Sequence, residues 1–75
     1  MTYLEVVYRY RNPPSEQDMR AIDAIREVYG VQRIQFNDGE GTVRVLYDAS
    51  RLNEDMIASL LRRAGLDVEG RLTVA

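Results

Sequence analysis

The 75-residue chain has no cysteine and no histidine, and its ten basic residues are all arginine, so lysine is missing too. Each gap removes a chemistry. Without cysteine there is no disulfide, no thiol nucleophile and no zinc knuckle, and thiol usage says nothing of redox compartment. With histidine and lysine also gone, a catalytic base or nucleophile would have to be a carboxylate, a hydroxyl or a tyrosine. No Gly-x-Ser-x-Gly or Ser-x-x-Lys-like setting is present to activate one. Long apolar runs are missing as well: none approaches the roughly 18 residues of a membrane span, and Glu5 stands where a signal peptide would be apolar. A basic excess is also lacking. Twelve acids face ten arginines for a formal charge of -2, with the signs interspersed, which is the pattern of a solvated surface and not of a nucleic-acid binder. The expectation is a soluble, cytosolic, non-enzymatic chain without nucleic-acid or membrane partners.

What is present is a regular order of hydrophobic periods. Residues 3–10 are rich in β-branched and aromatic types, and Leu4, Val6 and Tyr8 alternate onto one face of a first strand. Pro13 and Pro14 stop that strand. Ser15, with Asp18 three residues on, resembles a capping box opening a helix. Met19, Ile22, Ile25, Val28 and Tyr29, widened by Ala21 and Ala24, predict a helix over 16–29. Gly30 supplies a left-handed residue after it. Val31, Ile34 and Phe36 mark a second strand, 37–41 a turn, and Val43, Val45 and Tyr47 one face of a third strand. Asn53 caps a second helix with Glu54 and Asp55 in its first turn. Its apolar side is Met56, Ile57, Leu60, Leu61 and Ala64, with Arg62 and Arg63 at the negative end before Gly65. Leu66, Val68, Leu72 and Val74 alternate through a last strand, and Gly70, in phase with them, predicts a bulge or kink. The order β-α-β-β-α-β with right-handed crossovers gives an α+β, ferredoxin-like βαββαβ sandwich: a four-stranded antiparallel sheet with both helices on one face, in a single domain over 1–75.

From Ala21 onward the chain resembles the heavy-metal-associated (HMA) domain superfamily, which includes small copper chaperones. The likeness rests on Ala24-Ile25, Val28, Gly30-Val31, Ile34, Phe36, Val45-Leu46-Tyr47-Asp48, Glu54, Ile57, Leu61, Ala64-Gly65-Leu66 and Val68. In that family the loop after the first strand carries a Gly-Met-x-Cys-x-x-Cys motif that holds a soft ion. The resemblance implies that the two cysteine positions fall at Pro14 and Gln17, and the Gly-Met pair at Arg11-Asn12. Proline offers no ligand atom, and a glutamine amide is a hard, neutral donor. The expectation is therefore an HMA-like fold with no metal site and no cofactor.

Other chemistries have plainer explanations. Met1, Met19 and Met56 could offer thioethers, yet Met19 and Met56 sit in phase with helical core positions. Glu16, Asp18, Asp38 and Glu40 suit caps and turns, and the hairpin segment does not fit a calcium loop. Arg11-Asn12 is reminiscent of acylphosphatases, but the glycine-rich phosphate cradle is missing. The outward positions of the two central strands, Tyr3, Glu5, Val7, Arg9, Arg44 and Leu46, hold one aromatic, too few for an RNA-recognition sheet. There remain two interaction surfaces. Tyr3, Val7 and Leu46 are expected to form a small apolar centre on the open sheet face, rimmed by Arg33, Gln35, Glu69 and Arg71. Arg9, Arg11 and Arg20 are expected to make the first-loop end basic and complementary to an acidic partner. The sequence thus predicts a small protein-interaction or regulatory module, meeting another protein or itself as a homodimer through the open face or an edge strand. Its alternative is metal binding or delivery through non-cysteine ligands.

Overall fold

The computed structural model describes residues 2–72. Its elements are β1 (Tyr3–Tyr10), α1 (Glu16–Ile25), β2 (Val31–Asn37), β3 (Thr42–Asp48), α2 (Glu54–Arg63) and β4 (Val68–Leu72). The four strands form one antiparallel sheet in the order β2-β3-β1-β4. This is the ferredoxin-like βαββαβ arrangement, and both helices bury their apolar stripes on the same sheet face. Val6, Tyr8, Val43, Val45 and Ile34 point from the strands into one core with Ile22 and Ile25 of α1 and Ile57 and Leu61 of α2.

Both helix starts form as their sequences dictate. The Ser15 hydroxyl oxygen accepts from the Asp18 N–H at 3.1 Å, and the Asp18 carboxylate accepts in return from the Ser15 N–H at 3.0 Å. Two backbone donors that the helix leaves open are thereby satisfied. At α2 the Asn53 side chain accepts from the Met56 N–H at 2.9 Å. Helix α1 is shorter than the periodicity predicts. After Ile25 the N–H groups of Arg26, Glu27 and Val28 bond three residues back, so the chain tightens and leaves α-geometry. Tyr29 is consequently not core: it is 71% exposed and stacks under the Arg51 guanidinium, 4.0 Å from the ring centre. Ala21 and Ala24 are also exposed, and so are Leu4 and Met56, both expected on apolar faces.

The last strand departs most from simple alternation. Tyr10 pairs with Val68 but Arg9 pairs with Gly70, so Glu69 is an extra residue in β4. A bulge of one residue reverses the phase of everything beyond it. Leu72 now lies beside Val7 on the open face, and Arg71 beside Tyr8 on the helix side, where its guanidinium pairs with the Glu54 carboxylate. Sequence alternation had assigned those two faces the other way round. Leu66 is buried ahead of the strand, and Val74 lies outside the described residues.

Candidate functional site

Three segments converge at the end of the sheet where β1 finishes. The Tyr10 N–H donates to the Gly41 carbonyl at 3.1 Å, docking the β2–β3 hairpin onto β1. The Arg11 N–H donates to the Asp67 carbonyl at 3.1 Å, tying the first loop to the approach to β4. Pro13 and Pro14 have no N–H to offer, so the loop passes over this end without joining a ladder until Ser15 caps α1. Gly41, with φ of 65°, makes the hairpin return possible.

Between loop and hairpin lies a cleft of about 560 Å³. Tyr10, Phe36, Met19, Pro13 and Pro14 line it with carbon, and Arg11 and Asp38 stand at its margin. Tyr10 and Phe36 meet edge to face, their ring centres 5.9 Å apart and their planes at 69°. The Tyr10 hydroxyl points to the Asp38 carboxylate at 3.4 Å. Burial pushes the Tyr10 phenol up from its usual value, and the adjacent Asp38 charge and hydrogen bond push it further the same way. Tyr10 therefore stays neutral and packs as a ring with a tethered tip.

The end is not a basic patch, contrary to the sequence expectation. Arg11 lies 3.8 Å from Glu69, and Arg20 lies 3.7 Å from Glu16 one helical turn away, both pairs exposed. Asp38, Glu40 and Asp67 add negative charge along the same rim. Arg9 is exposed on the open face opposite Thr42, and Arg20 faces solvent on α1, so the three arginines do not form one surface.

On the open face, Leu46 sits opposite Glu5 and therefore diagonally between Tyr3 and Val7, so the register does align the three expected residues. Their exposure differs. Tyr3 is 44% exposed and Leu46 half-buried, but Val7 is only 6% exposed. Val7 lies between Arg44 of β3 and Leu72 of β4, and Arg44 is itself drawn across to Glu5 at 3.5 Å. The neighbouring side chains cover it, so Val7 is not an exposed apolar centre. Leu72, which alternation had assigned to the core, takes part in this face instead.

Pro14 is half-buried against the cleft, and Gln17 is exposed on the first turn of α1. Residues 11–17 offer only nitrogen and oxygen atoms. Met19 stands at this end, whereas Met56 lies in the first turn of α2 at the opposite end of the sheet, beyond the Tyr3–Asp48 pairing, and Met1 lies outside the described residues. Two thioethers so separated cannot share an ion. Among the described residues no group of three or more carboxylates gathers as a metal would require, and no helix is long and apolar enough to cross a membrane.

No family model matches this sequence, and no curated protein matches it. The fold does have a solved counterpart. The solution structure of the yeast copper transporter domain Ccc2a, determined in apo and Cu(I)-loaded states, superposes with a TM-score of 0.73 at 21% identity. The match covers 95% of this chain and 97% of that one. At that identity the likeness shows the fold alone.

Proposed function

We propose that this chain is a small non-enzymatic protein-docking or regulatory module of the cytosol, built on the HMA-like fold but without soft-metal ligands, and that its first-loop end is the contact surface. The cleft between the first loop and the β2–β3 hairpin supports this most directly: an apolar pocket of aromatic, proline and thioether groups with a rim of both charges. Desolvated aromatic and methionine surface within a polar rim is the composition of interface cores. Pro13 and Pro14 keep the loop stiff, which lowers the entropy lost on docking.

A Met19→Glu variant tests this surface, because Met19 is only half-buried and α1 tolerates glutamate. Affinity co-purification from the native host is expected to recover a protein with the wild-type chain and lose it with Met19→Glu, while circular dichroism stays the same. Equal recovery by both chains would remove the cleft from consideration.

The likeness to a copper-transport domain supports a second reading, in which this chain binds or delivers a metal ion through non-cysteine ligands. The donors in residues 11–17 do not suit Cu(I), which prefers thiolate and thioether sulphur. The loop therefore fits a protein surface better than a soft ion, and titrations with Cu(I) and Zn(II) together separate the two readings.

A further inference from the structure

Strand β2 is at one end of the sheet order, so one side of its backbone has no strand beside it. The hydrogen-bond phase identifies which groups face outward. Because the Tyr10 N–H bonds the opposing Gly41 carbonyl, the residues in step with Gly41, namely Val43 and Val45, turn their backbone groups toward β1. Thr42, Arg44 and Leu46 then turn theirs toward β2, where they pair with Asn37, Gln35 and Arg33. The N–H and C=O groups of Ile34 and Phe36 are left pointing away from the sheet. One of these acceptors is met from α1's end of the molecule: the Arg26 guanidinium donates to the Ile34 carbonyl at 3.2 Å. Asp23 holds the same guanidinium at 3.5 Å.

We propose that the outer edge of β2 is a pairing edge for a second copy of this chain, kept shut by the Arg26 hydrogen bond to Ile34. Edge strands with open backbone groups recruit other strands unless a side chain or a charge blocks them. An antiparallel pairing about a two-fold axis at Gln35 uses the free groups fully. Ile34 then lies opposite Phe36 of the second copy and Phe36 opposite its Ile34, giving four backbone hydrogen bonds. Ile34 and Phe36 both face the helix side, so the side chains match in phase and in apolar character. Arg33 falls opposite Asn37 of the second copy and next to its Asp38, so no like charges oppose. Arg26 is about half exposed, so the lock can open without disturbing the core, and removing its donor shifts the monomer–dimer balance while leaving the fold intact.

The test is sedimentation equilibrium of the full chain at matched concentrations. The wild type is expected to behave as a monomer of 8.6 kDa. Arg26→Met, which keeps the packed stem but removes the donor, is expected to reach twice that mass. Adding Gln35→Lys places two charges face to face on the axis and is expected to return Arg26→Met to monomer. In the dimer, the amides of Ile34 and Phe36 should gain hydrogen-exchange protection with rising concentration. If Arg26→Met loses its circular dichroism, Arg26→Gln, too short to reach Ile34, takes its place. A monomeric Arg26 variant overturns the pairing edge. A wild type as dimeric as the variant overturns the lock. A dimer that survives Gln35→Lys, with those amides unprotected, assigns self-association to another surface and overturns the proposal.

Discussion

Tyr8 joins the middle of the sheet to the start of the second helix. Its hydroxyl donates to the Glu54 carbonyl at 2.7 Å. Burial, followed by the negative charge of Glu54, pushes its phenol up to about 12 from the usual 10.0. A group whose folded pKa is raised contributes stability that is complete below the unfolded pKa and is lost as pH rises through the folded one. Unfolding midpoints should therefore fall between about pH 10 and pH 12, and Tyr8→Phe should lessen that fall while costing about 0.5–1.5 kcal/mol at neutral pH. Denaturant titrations of both proteins across that range check it. Tyr47 is also raised by burial and contributes to the fall that remains in the variant. At Gly65 the constraint is steric. Its φ is 100°, and an added Cβ would collide with the Asp18 carboxylate that caps α1. Gly65→Ala is expected to cost roughly 1–3 kcal/mol, read as a lower denaturation midpoint with unchanged slope.

The helices illustrate how much of the architecture local chemistry carries. Asn53→Ala removes the acceptor for the Met56 N–H and should destabilise the chain by about 0.5–2 kcal/mol, measured by thermal or urea unfolding. Caps of this kind are legible in the sequence because a side chain two or three residues away satisfies them. So were the element order and most core positions, such as Ile22, Val43, Val45, Ile57 and Leu61, whose spacing follows the helix and strand periods. What local periods cannot encode is a register set by the neighbouring strand. Glu69 is extra only relative to β1, and that single residue moves Leu72 to the open face and Arg71 to the helix side. The burial of Val7 likewise depends on Arg44 and Leu72, which arrive from two other strands. The cleft was missed for the same reason. Met19 and Phe36 read as ordinary apolar positions of a helix and a strand and Tyr10 as the end of the first strand, and only the docking of hairpin against loop leaves them facing a shared gap.

Taken whole, the molecule shares its fold with a copper-transport domain at 21% identity, and its own first-loop end carries charges of both signs. Mixed charges at that end argue against long-range steering, so association with a partner should depend weakly on ionic strength. The fold itself does not decide the function. The most direct measurement is an anaerobic Cu(I) titration of the isolated chain against a competing chelator. No stoichiometric uptake tighter than about 1 μM, roughly 8 kcal/mol, is expected. One equivalent of Cu(I) held more tightly than that, with the spectroscopic changes confined to residues 11–17, would contradict the protein-docking assignment and make this end a metal site.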